Sequence, residues 1–274
     1  MNEPLVSVCV PAYNNEMFIR DAIQSVINQT YQNWEMIISD DASKDATLAI
    51  IKTFHDSRIV LFENKVNLGL GGNWNKVVQN AKGTFVKLLC GDDLLAPDCL
   101  EKQVAIFLSD KGKELSLIIS YRNIIDEKGK ILMSRKFPVK AGFINSSKAM
   151  RLNFLFGTNI IGEPAVGLFR LSAFSEIGYY DASNSYLIDL DFWFRLLLTG
   201  NLYVIPKPLA SFRISKGAMT SQLKKNQAKL FMLFAKKIYD DKRFKLNLSM
   251  YFFSCFTASL MQILRRLFML FHIK

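Results

Sequence analysis

Short apolar runs alternate with amphipathic stretches through the first hundred residues of the chain. Leu5–Val10, Glu35–Ser39, Ile59–Glu63 and Thr84–Leu89 are brief and bounded by polar residues, the pattern of buried parallel strands. Between the first two, Phe18, Ile19, Ala22, Ile23, Val26 and Ile27 recur at helical spacing over Phe18–Ile27. Ala46–Phe54 and Asn73–Ala81 read as further helices, the second opening after a turn at Gly69, Gly71 and Gly72. The βαβαβαβ rhythm predicts an α/β fold: a mostly parallel central sheet with right-handed crossovers, flanked by helices. A helix from about Pro97 to Leu108 follows, with Pro97 suited to its first turn, and then a strand over Leu115–Tyr121.

The middle of the chain is less regular. Ile124–Met133 predicts a hairpin turning at Glu127-Lys128-Gly129, Ser146–Leu155 a helix and Ala165–Arg170 a strand. Leu187–Thr199 predicts a helix stopped by Gly200, and Leu202–Ile205 and Leu209–Ile214 two short strands separated by Pro206 and Pro208. After Gly217 the texture changes. Ser221–Tyr239 is an amphipathic basic helix, and Leu246–Leu264 then runs for nineteen residues without a charge. That length reaches a bilayer crossing, but Asn247, Ser249, Ser254, Thr257, Ser259 and Gln262 lower its hydrophobicity. The first reading is a helix lying in a membrane interface; a spanning helix and a packing helix are the others.

Charge sharpens this division. Residues 216–274 hold 12 Lys and Arg against Asp240 and Asp241, whereas residues 1–215 hold 23 against 22 acids. A near-neutral body thus carries a basic end. Its Phe, Leu and Met content favours an anionic membrane surface over nucleic acid. The four cysteines show no paired short spacing and read as reduced thiols, and the two histidines stand near no cysteine pair, which argues against zinc. The strand at the start leaves room for no targeting segment, so the expected location is cytoplasmic, peripheral at the inner face of the cell membrane.

Two pairs of adjacent aspartates carry the candidate chemistry. Asp40-Asp41 and Asp92-Asp93 each follow a predicted strand, and the carboxyl ends of such strands open into the crevice where α/β sheets bind ligands. Clustered carboxylates repel, so they invite a cation or hydrogen-bond donors. Hard divalent ions bind readily between carboxylates and phosphates. A nucleoside-diphosphate site bridged by a metal is the first expectation. The plainer alternatives are that Asp40 caps a helix and that Asp92-Asp93 is a turn before the Pro97 helix.

Around those aspartates the sequence resembles family 2 glycosyltransferases. Val6-Ser7-Val8-Cys9-Val10-Pro11-Ala12-Tyr13-Asn14-Asn15 is similar to that family's opening strand, followed in order by Gln24–Thr30 and Ile38–Asp45. Asn67-Leu68-Gly69, Ala81-Lys82-Gly83, Gly91-Asp92-Asp93, Ile188–Trp193 and Phe212-Arg213 continue it, so the resemblance covers about residues 5–215. It implies a GT-A fold in residues 1–215: a nucleotide-sugar-binding half to about residue 95 and an acceptor-binding half over 96–215. Residues 216–274 form a helical extension outside it.

The resemblance also implies inverting transfer from a nucleotide diphosphate sugar, UDP- or dTDP-linked, with Mn or Mg as divalent metal. Pro11, Ala12, Tyr13 and Asn15 would lie at the base and ribose, with Asp41 on the pyrimidine N–H. Asp93 would hold the metal, and Asp92 the ribose or the metal's waters. Asp189 falls at the general base. Glu163, Pro164, Asp191 and Trp193 fall on the sugar and acceptor side, although Trp193 reads more readily as core than as a sugar platform and Asp191 more readily as structural. Arg213 or Lys216 would face the diphosphate.

Two departures stand out: Ile188 replaces the glutamate expected before the base, and Ser215 replaces a histidine. The expected function is sugar transfer to a hydroxyl of a glycan or lipid-linked glycan in bacterial surface polysaccharide synthesis. The rival readings are a catalytically degenerate glycan- or nucleotide-binding module and a sugar nucleotidyltransferase. The latter usually opens with a Gly-rich basic loop, which Pro11–Asn15 is not. A nucleic-acid binder ranks below both.

Overall fold

A computed structural model describes residues 3–215 and 226–272. Its centre is a ten-stranded sheet. Strand β1 (Val6–Ala12) pairs in parallel with β2 (Trp34–Asp40) and β4 (Phe85–Leu88), and β2 pairs in parallel with β3 (Ile59–Glu63). Strand β9 (Gly167–Arg170) runs antiparallel between β4 and β6 (Leu115–Ile125). Strand β10 (Asn201–Arg213) pairs in parallel with β6. Thus β1, β2, β3, β4, β6 and β10 share one direction, and their carboxyl ends share one edge. Short antiparallel pieces finish the sheet: β5 (Leu94–Leu95) and β8 (Gly142–Ile144) on β10, and β7 (Ile131–Arg135) on β6.

Helices α1 (Ile19–Ile27), α2 (Thr47–Ile51), α3 (Gly69–Gln79), α4 (Cys99–Leu108), α5 (Ser146–Phe156), α6 (Ala173–Ile177) and α7 (Ile188–Leu196) flank the sheet. Every residue of β1 is buried, as two covered faces require. Helix α3 begins earlier than the glycine turn predicted. The Asp41 carboxylate accepts the Leu68 and Gly69 N–H groups at 2.8 and 3.0 Å, which satisfies the helix start. Inside the helix Gly71 is required for contact, because a Cβ there would lie 2.3 Å from Ala182 Cβ.

The two strands predicted over residues 202–214 form one. Pro206 and Pro208 fall where the β10–β6 register shifts, so neither breaks a regular ladder. Beyond residue 215, the predicted end of the α/β body, α8 (Gln227–Asp240) and α9 (Leu248–His272) pack on the same core. Phe231 and Phe234 meet the Phe154 ring, and Thr257 Oγ1 donates to Phe154 O at 3.1 Å. Among the described residues no helix is long and apolar enough to cross a membrane, which removes the spanning reading of Leu246–Leu264.

Candidate active site

The loops at the carboxyl edge of the sheet are tied to one another by side chains that cap backbone groups. Tyr13 N donates to Asn15 Oδ1 at 3.0 Å, Asn15 N to Thr47 Oγ1 at 2.7 Å, and Lys44 N to Asn14 Oδ1 at 2.8 Å. Asn14 and Ala42 both sit in the left-handed region, at φ of 50° and 58°, a conformation non-glycine residues hold only when neighbours impose it. Gly91 touches the same loop: a Cβ there would lie 2.7 Å from Asn15 Oδ1. The β1 loop and the Gly91-Asp92-Asp93 turn are therefore packed as one unit. Pro11 and Ala12 are buried at the end of β1, and Tyr13 is exposed beside them.

The two aspartates after β2 are engaged inside the protein. Asp40 accepts from Ser43 N and Oγ at 3.1 and 2.5 Å, which fixes the loop after β2; it is structural, but it does not cap α2, which starts at Thr47. Asp41 is buried and, besides the α3 start, accepts from Asn64 Nδ2 at 2.8 Å. Its carboxylate is thus largely used in anchoring α3, a partner set the spacing did not reveal.

After β4 the arrangement differs. Asp93 is fully buried; its Oδ1 accepts the Arg213 N–H at 3.0 Å, and its Oδ2 has no hydrogen-bond partner. Burial first, and then the neighbouring Asp92 charge, push the Asp93 carboxyl well above the usual carboxylate range. Asp92 is half-buried and also raised by burial. Two adjacent carboxylates, one with an orphaned oxygen, match what a hard divalent ion takes from a protein when phosphates and water complete its shell. Among the described residues no cluster of three or more His, Cys, Asp or Glu forms a ready-made cage, which leaves those other positions to a ligand.

Arg213 braces this turn rather than facing an open cleft. Its Nε donates to Asp92 O at 2.9 Å and its Nη1 to the carbonyls of Asp126 and Glu127 at 3.0 and 3.1 Å. The guanidinium also lies 4.6 Å from the Phe18 ring centre. With these N–H groups committed, the diphosphate role expected for it loses its main donors. Lys216, the other residue expected there, lies outside the described residues.

Asp189 stands in the first turn of α7. Asn159 Nδ2 donates to its Oδ2 at 2.9 Å, and Leu190 N donates to its Oδ1 at 2.7 Å. Burial, and after it the charge of Glu163, lift its carboxyl to about 7. A carboxylate poised there is suited to taking a proton near neutral pH. Glu163 also raises Asp93, so its charge acts on both of the other carboxylates. The counter-charge is Arg122, nearly buried on β6 and ion-paired to Glu163. Gly162 makes space for it, since a Cβ there would lie 2.8 Å from Arg122 Nη1. Pro164, buried, opens the 3₁₀ turn that leads from Glu163 into β9.

Arg122 and Asn159 are the members that sequence reasoning missed. Arg122 is a basic residue at a buried position of β6, and such a position needs a partner. Asn159 sits four residues before Glu163, in the loop that carries Glu163 and Pro164, and spacing alone gave it no role.

Two expected acceptor residues belong elsewhere. Trp193 is fully buried, its Nε1 donating to Gly162 O at 2.9 Å and its ring closed over Gly167. It is core and offers no platform to a sugar. Asp191, two residues along the helix from Asp189, points to the far side, paired with Arg195 at 2.9 Å and Lys237 at 2.7 Å. It fastens α8 to α7. Ile188 is buried and packs near Gly71, in an apolar seat where a glutamate would be unpaired.

Comparison with known proteins accords with this geometry. Residues 7–178 match the family described as Glycosyl transferase family 2. An uncharacterized glycosyltransferase of Rickettsia typhi is 30% identical over 239 residues, 86% of this chain and 73% of that protein. The UDP-Glc:alpha-D-GlcNAc-diphosphoundecaprenol beta-1,3-glucosyltransferase WfgD of Escherichia coli is 39% identical over 110 residues, 40% of this chain and 44% of its own length. Among solved structures, S. aureus TarS 1-349 in complex with UDP-GlcNAc superposes with a TM-score of 0.67 at 20% identity, covering 85% of this chain and 66% of that one. Mannosyltransferase PcManGT from Pyrobaculum calidifontis, in complex with GDP-Man and Mn2+, gives 0.65 at 15% identity, covering 94% and 70%. At these identities the structures establish the GT-A fold.

Proposed function

Because the chain belongs to glycosyl transferase family 2, we propose that it moves a sugar, with inversion, from a nucleoside diphosphate sugar to a hydroxyl of a glycan or lipid-linked glycan. UDP- or dTDP-linked donors and a role in surface polysaccharide synthesis are the favoured setting. In this reading residues 1–95 hold the donor and residues 96–215 the acceptor. The basic helices that follow bring the enzyme to the membrane surface where a lipid-carried acceptor resides. The polyprenyl-diphosphate acceptor in the name of the E. coli relative supports that last element.

Each residue then has a task. Asp93, through its free Oδ2, and Asp92 would hold a divalent ion, Mn or Mg. Bound there, such an ion would supply Lewis-acid stabilisation to the departing diphosphate. Pro11, Ala12, Tyr13 and Asn15 bound the space for base and ribose. Asp189 takes the proton from the attacking hydroxyl as its oxygen bonds to the anomeric carbon and the bond from that carbon to the diphosphate oxygen breaks. Asn159 and the Leu190 N–H, one on each Asp189 oxygen, hold the carboxylate in the orientation from which a remaining lone pair takes that proton. Glu163 supplies the second carboxylate that Ile188 does not, with Arg122 holding it in place.

The observation that carries this reading is a buried, unpartnered carboxylate oxygen on Asp93 together with an aspartate, Asp189, raised to about 7, both of them facing the charge of Glu163. The test is thermal stabilisation by UDP, dTDP, GDP and CMP with and without manganese, on wild type and Asp93→Asn. Metal-dependent stabilisation by one diphosphate, lost in the variant, is expected. Stabilisation indifferent to both metal and Asp93 would overturn the site.

A further inference from the structure

Helix α9 turns small residues inward and large apolar residues outward. Ser254, Thr257 and Ala258 are buried against the domain, and Ala258 crosses Gly157 so closely that a Cβ there would lie 2.2 Å from its backbone nitrogen. The opposite face carries Leu248, Phe252, Phe256, Leu260, Ile263 and Leu267, all exposed, with Phe252 and Phe256 at 62% and 66%. Steps of three and four keep them on one side of the helix. A soluble surface would carry polar residues there.

Charge identifies what covers the stripe. The link into α9 exposes Lys242, Arg243 and Lys245. Residues 216–274 together carry a net charge of +10. A second copy of the chain would bring that same charge against itself, whereas an anionic surface is complementary to it. At 1.5 Å per residue the helix is about 37 Å long, and it is apolar on one face only. A helix of that kind lies in the plane of a bilayer with its apolar face at the acyl boundary.

We propose that the Leu248–Leu267 face of α9 docks flat on an anionic lipid bilayer, while its small-residue face stays seated on α5 and α8. This deepens, and rests on, the reading of a membrane-carried acceptor. The lysines hold the headgroups, the phenylalanines and leucines enter the acyl boundary, and the domain rides above on the Gly157 crossing.

The full chain is tested by co-flotation with vesicles of phosphatidylcholine alone and of phosphatidylcholine mixed with phosphatidylglycerol. Wild type is expected to float with the anionic vesicles, more weakly with neutral ones, and less as salt rises. The triple variant Phe252→Ser/Phe256→Ser/Leu260→Ser, at exposed positions, keeps its melting temperature and loses at least about tenfold in partitioning. Manganese-dependent UDP stabilisation, measured without lipid, is unchanged in that variant, so a failure of docking is separable from a failure of the transferase reading. The proposal is overturned if wild type does not float, if the variant floats equally, or if sedimentation without lipid shows a dimer that the triple variant abolishes.

Discussion

Asn159 Nδ2 lies 2.9 Å from Asp189 Oδ2, while Asn159 Oδ1 accepts the Gly162 N–H at 2.9 Å, so the residue that grips the proposed base is itself held by its own turn. A donor on the charged carboxylate favours ionisation. Asn159→Ala removes it. The expected outcome is a fall in kcat of about ten- to a hundredfold from lost orientation, and a rising limb of the pH–rate profile displaced upward. A kcat loss with an unmoved limb would mean that Asn159 shapes the turn only.

The proton on Asp189 sets a second expectation. A base lifted to about 7 makes kcat/KM rise with pH through that value. Stability runs the other way. Between the ordinary carboxyl value of 3.8 and about 7 the native state keeps a proton that the unfolded chain has lost, so stability falls as pH rises through that window. Asp189→Asn escapes this loss. Its unfolding free energy should gain on wild type between about pH 4 and pH 8, by up to about 4 kcal/mol at the upper end, while turnover is lost. A gap that is constant with pH would refute the assignment.

Glu163 and Arg122 can be separated by charge. Glu163→Gln removes a negative charge that helps raise Asp189, so the rising limb should move to lower pH. It also leaves Arg122, whose side chain is only 9% exposed, without its counter-ion. With Glu163 itself 26% exposed, the stability loss should be about 1–3 kcal/mol in urea unfolding, less than for a fully buried pair. The double variant Arg122→Met/Glu163→Gln should recover part of that stability without recovering activity.

Asp93 is kept at a cost to the fold. Its carboxyl is buried, raised and half unsatisfied. Asp93→Asn should therefore raise the melting temperature of the ligand-free protein near neutral pH, and the same variant should lose manganese-dependent binding of UDP. A variant less stable than wild type in the ligand-free state would count against the strain inferred here.

Much of this site was legible as residue types and spacing. Buried parallel strands announce themselves by short apolar runs, and Asp92-Asp93 and Asp189 stand at the strand and helix ends that the pattern predicts. What the one-dimensional pattern does not carry is the partner of each group. Arg213 satisfies carbonyls from two separate turns, Asp41 anchors a helix 27 residues on, and Asp191 pairs with a lysine 46 residues away. Trp193 has the chemistry of a sugar platform, but its place against Gly167 depends on a strand that sequence alone does not bring beside α7. Arg122 escaped because the strand that carries it runs four residues past the predicted end at Tyr121.

Gly157 joins the C-terminal helices to the site, and its two constraints can be told apart. It sits at φ 59°, and a Cβ would lie 2.2 Å from Ala258 N and 2.4 Å from Thr257 C. Gly129 has a similar φ of 79° but nothing within 4 Å of such a Cβ. Gly129→Ala should therefore cost about 1 kcal/mol, the left-handed penalty alone. Gly157→Ala should cost about 3 kcal/mol or more in urea unfolding, because backbone on both sides of the crossing must also move apart. Asn159 is two residues from that crossing, so lifting α9 also shifts the donor to Asp189. Gly157→Ala is thus expected to lower kcat where Gly129→Ala leaves it unchanged, and equal losses in the two variants would show that α9 does not press on the turn.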